Sequence, residues 1–198
     1  MRHLSVVFFF VLLPALIFPQ DKNSSAPSME EMMKKMAELS TPGAMHKKLD
    51  FMTGSWNVKS SYWMMPGDQT PTTTSGSAEF KWMLGGRFLM EDYKGEFMGK
   101  PMTGMGINGY DNLRKKYSGV WIDDMGTVIS TMDGNFDQSG KILTLYGKWD
   151  EPTTGEFDKN VAYVTKLVND DKFIFEIHDL SIGGKDTKIA EMEYTRKK

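Results

Sequence analysis

From Trp56 onward the apolar residues recur at every second position, in short runs broken by turn residues. A period of two is the spacing of a β-strand, whose successive side chains point to opposite faces. Trp56, Val58, Ser60 and Tyr62 alternate with Asn57, Lys59, Ser61 and Trp63. Ala78, Phe80, Trp82 and Leu84 alternate with Glu79, Lys81 and Met83. Further runs cover Arg87 to Phe97, Met102 to Tyr110, Tyr117 to Asp124, Thr127 to Met132 and Ile142 to Trp149. The last three cover Val161 to Val168, Phe173 to Leu180 and Thr187 to Thr195. Between them stand turn signals: Pro66-Gly67-Asp68, Gly85-Gly86, Gly99-Lys100-Pro101, Asp111-Asn112, Met125-Gly126, Asp133-Gly134-Asn135, Ser139-Gly140, Asn169-Asp170-Asp171 and Gly183-Gly184. The segment Asp150 to Asp158 reads as a longer loop. About ten short strands with no helix between them predict an all-β, antiparallel up-and-down meander. Closing the meander into a barrel removes its exposed edges. A βαβ arrangement would need helices between the strands and finds none.

The start of the chain follows other rules. Met1-Arg2-His3 is basic, Leu4 to Phe18 is apolar apart from Ser5 and Pro14, and Asp21-Lys22-Asn23 is polar. That layout predicts a signal peptide over residues 1–20 and export to the periplasm or medium. The apolar run is shorter than the roughly 20 residues of a comfortable membrane span. Residues 21–43 read as a polar tether followed by an amphipathic helix, and residues 44–198 as the barrel domain. In the helix Met29, Met32, Met33, Met36 and Leu39 fall on one face, with Ser28 and Glu31 as a capping box. Thr41-Pro42-Gly43 stops it, and a second helical turn is expected between Ala44 and Met52.

Composition closes off several function classes. The net charge is −2 with basic residues scattered, which gives no electrostatic footprint for nucleic acid. Lys59, Glu79, Lys81, Glu91, Lys148, Lys166, Glu176 and Glu193 lie inside predicted strands, where a bilayer-facing surface would penalise them. With no cysteine there is no disulfide, so the fold must rest on its core. No second apolar run of spanning length follows the leader, so no membrane span is expected in the mature chain.

Several segments together resemble a bacterial family, domain of unknown function 1579. They are Leu84-Gly85-Gly86-Arg87-Phe88-Leu89, Gly104-Met105-Gly106-Ile107-Asn108-Gly109-Tyr110-Asp111-Asn112, Trp121-Ile122-Asp123-Asp124-Met125-Gly126-Thr127 and Asp150-Glu151-Pro152-Thr153-Thr154-Gly155. Thr41-Pro42-Gly43 with His46 resembles the family's opening, although Glu151 splits its usual Asp-Pro pair. Gly54-Ser55-Trp56 is similar to the Gly-x-Trp signature of lipocalins and related calycins, whose Trp closes one barrel end. The resemblance implies a lipocalin-like barrel and no established activity. It also implies an Arg packed across that indole, a role for which Arg87 is the candidate.

Candidate site residues are weighed against simple packing. Trp56, Trp82, Arg87, Tyr110 and Trp121 are the candidate ligand-binding or barrel-end residues. Inward aromatics either line a pocket for one small ligand or fill the barrel. Arg87 either grips an anionic group or stacks on an indole. Neighbouring Glu91-Asp92 and Asp123-Asp124 point to opposite strand faces and cannot act as an acid–base pair. His46 and His178 could each ligate haem singly, but they supply no zinc cluster. The Met-rich helix could bind Cu(I), yet its spacing is that of an ordinary amphipathic helix. Gly104-Met105-Gly106-Ile107-Asn108-Gly109 opens no helix, so it is not a dinucleotide loop; its glycines are expected where a strand bends or another backbone comes close. No catalytic nucleophile, metal or cofactor is expected. The reading is an exported barrel that binds a small apolar ligand. The alternatives are a packed barrel that meets protein partners through its Met-rich helix, and an uncharacterised enzyme.

Overall fold

The computed structural model describes residues 26–64, 70–152, 154–182 and 187–198. The expected leader over residues 1–20, the turns Pro66-Gly67-Asp68 and Gly183-Gly184, and Thr153 lie outside the described residues. The chain divides into two units, Met1–Met36 and Ala37–Lys198. Helix α1, Met29–Ser40, carries the expected capping box. Ser28 Oγ accepts from the Glu31 amide at 3.2 Å, and Glu31 Oε2 accepts from the Ser28 amide at 2.7 Å. Together they satisfy two amides at the helix start. At the other end the Thr41 hydroxyl donates to the Ala37 carbonyl. No helix among the described residues is long and apolar enough to cross a membrane.

The second unit begins with two short turns, α2 (Ala44–Lys47) and a 3₁₀ turn (Asp50–Met52), and continues as ten strands. These are β1 Gly54–Tyr62, β2 Thr72–Met83, β3 Phe88–Phe97, β4 Lys100–Asp111 and β5 Lys116–Asp123. They continue as β6 Ser130–Phe136, β7 Ile142–Glu151, β8 Glu156–Asn169, β9 Lys172–Asp179 and β10 Lys188–Arg196. Each pairs antiparallel with its neighbour in sequence, and β1 pairs with β10 to close the barrel. The meander is therefore the expected one.

Several boundaries differ from the sequence reading. The expected loop Asp150 to Asp158 is shorter, because β7 runs to Glu151 and β8 starts at Glu156, and these two residues pair across the turn. Asp133-Gly134-Asn135 lies within β6 rather than between strands. Gly134 is needed there because a Cβ would collide with the Thr144 carbonyl of β7. That is the close backbone approach that glycine permits inside a strand. The polar stretch Thr72–Ser77 also belongs to β2, paired residue by residue with β1.

One barrel end is sealed. Inward-facing residues there are fully buried: Trp56, Leu89, Tyr117 and Phe173 have 2% exposure or less. The lead-in turns plug the opening with Leu49 and Met52. The plug is held by polar contacts to the barrel. The Trp56 indole donates to the Met52 carbonyl at 2.7 Å, and the Tyr117 hydroxyl to the Met45 carbonyl at 2.7 Å. Asn112 reaches the carbonyls of Leu39 and Thr41, each at 2.9 Å. Arg196 lies over the Trp56 ring at 4.2 Å and donates to the carbonyls of Thr53, Phe51 and Asp170. Gly54 has φ +104°, and a Cβ on it would sit 3.0 Å from Arg196 Nη1. The glycine of the Gly-x-Trp segment thus makes room for the cation over the tryptophan.

Arg196→Ala should lower unfolding stability by about 2–3 kcal/mol, the scale of charged donors lost from carbonyl acceptors. Arg196→Lys should recover little of it, because a point charge cannot stack on the indole and bridge three carbonyls together. Urea denaturation of the three proteins checks this.

Candidate functional site

Strand register and alternation define which side chains enter the barrel. Glu91 pairs across β4 with Gly106, which pairs with Trp121 of β5. Leu89, Glu91 and Tyr93 of β3 point inward, and all three are buried. Toward the end opposite the plug, the large inward residues are Tyr62, Met102, Trp121, Tyr163, Phe175 and Met192. Each is only partly buried.

Glycines shape these walls. Trp121 lies flat across β4 because Gly104 and Gly106 present no side chain to it. A Cβ on Gly104 would run into the Trp121 ring, and one on Gly106 would sit 3.4 Å from it. These glycines make room for a side chain, whereas the sequence suggested a bend or a neighbouring backbone. Tyr93 meets the Trp121 ring edge-to-face at 6.1 Å, and the indole N–H donates to Asp123 Oδ2 at 2.8 Å.

The floor of this half is polar. Glu91 is 9% exposed, and its Oε1 accepts from the Tyr194 hydroxyl at 2.9 Å. Beside it the Ser60 and Tyr93 hydroxyls share a hydrogen bond at 3.2 Å. Burial pushes the Glu91 carboxyl up to about 7, against the smaller opposing effect of the Tyr194 hydrogen bond. Burial, with the Glu91 charge beside it, likewise raises the Tyr194 hydroxyl well above its ordinary value. At the rim Lys159 pairs with Asp179 at 2.7 Å. Burial alone would raise Asp179, but hydrogen bonds from Lys159 and Ser181 outweigh it and hold the carboxyl low.

The sequence candidates divide between the two ends. Trp56 is the sealing indole. Trp82 donates to Asp50 Oδ1 at 2.9 Å at the same end. Tyr110 packs there edge-to-face with His46 and Tyr117. Arg87 donates to the Leu84 carbonyl in an exposed turn, and the cation over Trp56 is Arg196 instead. Register explains the exchange: Trp56 lies opposite Arg196 on the neighbouring strand β10. Trp121 alone of the five lies toward the end opposite the plug. His46 accepts from the Gly43 amide through Nδ1, and burial, then the nearby Arg87 charge, lowers its basicity. His178 lies outside the barrel, engaged with Glu176 and Thr187. The sequence offers Glu91 only as half of a carboxylate pair with Asp92, and the structure buries it inside the barrel. Its alternation with Leu89 and Tyr93 was the signal that places it inside.

Two clefts lie outside the barrel interior. One, of about 260 Å³, is bounded by Pro42, His46, Asp50, Trp82 and Gly86 at the sealed end. The other, of about 170 Å³, lies on the outer face among Ser77, Glu79, Asp92 and Lys94.

Fold and interior together define a closed ten-strand antiparallel barrel, plugged at one end, with a carboxyl-floored aromatic half at the other. The chain belongs to the family described as Protein of unknown function (DUF1579), whose model matches residues 41–196. Among solved structures it is similar to Rv2717c from M. tuberculosis, at 15% identity and a TM-score of 0.56, over 80% of this chain and 100% of that one. It is also similar to a redesigned beta barrel, at 13% identity and a TM-score of 0.42, over 79% of this chain and 100% of that one. The likeness to Rv2717c is one of fold. No curated protein matches the chain.

Glu91 gives a pH test of this interior. Its folded pKa lies above the ordinary carboxylate value, so the folded state holds the proton more tightly than the unfolded state. Stability should therefore be greatest below about pH 4.5 with respect to this group and fall as pH rises to about 7. The loss should total roughly 3 kcal/mol, from the free energy per pKa unit. Glu91→Gln should remove that slope, making the variant the more stable protein at pH 8 and equal to wild type near pH 4. Urea unfolding across pH measures both.

Proposed function

We propose that the protein is an exported barrel that binds a small, mainly apolar molecule in the open half of its interior. The observation that carries this reading is the set of partly buried aromatic and thioether side chains that gather with the buried Glu91 and Tyr93 at the end opposite the plug. They are Tyr62, Met102, Trp121, Tyr163, Phe175 and Met192. A barrel that was only a packed scaffold has no reason to leave aromatic and thioether side chains accessible on its inner wall. A mostly apolar wall with a few convergent polar groups is the usual composition of a small-ligand site. Here Glu91, Ser60 and Tyr93 supply those polar groups. Export is supported by the basic start and the apolar run Leu4 to Phe18.

The reading avoids catalysis for a positive reason. Glu91 is engaged by Tyr194, and the Ser60 hydroxyl meets Tyr93 rather than a histidine. Such groups orient a ligand by hydrogen bonds. A nucleophile would need a base within hydrogen-bond reach.

Isothermal titration calorimetry with 2-phenylethanol tests the reading. Wild type should show saturable binding, and Met102→Trp, which fills the interior, should lose it while keeping its unfolding midpoint. Failure of 2-phenylethanol and of its amine and acid counterparts alike to bind wild type saturably, or equal binding to the filled variant, would overturn the proposal.

A further inference from the structure

We infer that the ligand class this interior selects is an amine: an apolar body whose ammonium group pairs with Glu91 and rests against the Trp121 indole. This inference rests on the interior site proposed above and goes on to name its chemistry.

Three observations converge on it. First, Glu91 has one oxygen committed and one uncommitted. Oε1 takes the Tyr194 hydroxyl. No hydrogen bond to Oε2 is seen among the described residues, and Glu91 keeps 9% exposure. Second, that oxygen and the indole meet at a single glycine. A Cβ built on Gly106 would lie 3.2 Å from Glu91 Oε2 and 3.4 Å from Trp121 Cε3. A carboxylate oxygen beside an aromatic face is the combination that recognises an ammonium, through a charge-assisted hydrogen bond and a cation–π contact. Third, no cation among the described residues is paired with Glu91. The inward Lys159 is held by Asp179 at 2.7 Å, and Arg196 is spent on Trp56 and the plug carbonyls. A buried carboxyl without a counter-charge is costly, and a ligand cation would supply the missing partner.

The alternatives fit less well. A carboxylate ligand would face Glu91 with a second negative charge. A neutral alcohol could take a hydrogen bond from or to Glu91, but would gain neither the ion pair nor the cation–π contact. The elevated affinity of the Glu91 carboxyl for its proton agrees with the lack of a cation nearby.

The test compares three probes that share an aryl body: 2-phenylethylamine, 2-phenylethanol and 3-phenylpropanoate, titrated calorimetrically at pH 8 into wild type and Glu91→Gln. The amine should bind wild type about tenfold or more tightly than the alcohol, the scale of a hydrogen bond to a charged group, and the acid should bind weakest. In Glu91→Gln the amine should fall to the level of the alcohol, whose own affinity should hold. The alcohol thus reports whether the variant keeps its interior. Equal wild-type binding of amine and alcohol, or preference for the acid, would overturn the amine assignment and leave the interior site standing. Failure of all three to bind wild type would overturn both. The wild-type comparison needs no variant to fold.

Discussion

The Arg196 guanidinium lying on the Trp56 indole joins the two ends of the chain's barrel. Trp56 is near the start of β1 and Arg196 at the end of β10, so the contact sits on the seam where the meander closes. The same guanidinium bridges to Thr53 and Phe51 in the lead-in and to Asp170 at the β8–β9 turn. The indole N–H meanwhile holds the Met52 carbonyl. One pair of side chains therefore fixes strand closure, the plug and an adjacent turn. In a protein without disulfides such a seam contact does structural work that a covalent bridge could otherwise perform.

Sealing one end has consequences for the other. Bulk is concentrated around Trp56, where Phe80, Phe173 and Tyr194 stack or meet edge-to-face. Further along the same strands the inner wall turns to glycine. Gly104 and Gly106 let Trp121 lie against β4, and Gly76 and Gly95 leave room for Tyr93 and its hydroxyl. Glycine on one strand thus makes way for a ring from another. Glu91 stands at the transition, bonded to Tyr194 on the filled side and facing Trp121 on the open side. A polar group at that boundary costs desolvation, which is visible in its raised proton affinity.

Much of the fold was legible in the residues because the period of two reports strand faces directly, and glycine and proline mark most turns. The resemblance carried by the segments around Arg87, Tyr110 and Trp121 pointed to the same barrel. Glycine misled where it served packing: Gly134 resembled a turn signal, yet it clears the path of β7. The resemblance makes Arg87 the candidate for the Trp56 indole. The partner is Arg196, which only strand pairing brings alongside. Glu91 was hidden because acidic residues in strands usually face solvent, and its inward register is evident once Leu89 and Tyr93 are seen as neighbours on one face. The difference between a sealed and an open half depends on side chains from all ten strands and has no local signal.

Hydrogen exchange at the individual indole N–H groups, read by NMR, tests the central claim that the barrel is sealed at Trp56 and open at Trp121. Trp56 should exchange only through global unfolding, because its N–H is buried and held by the Met52 carbonyl. The Trp121 N–H, bonded to Asp123 near the rim, should exchange faster by orders of magnitude without unfolding. Equal, full protection of both indoles would show an interior closed at each end and contradict the account.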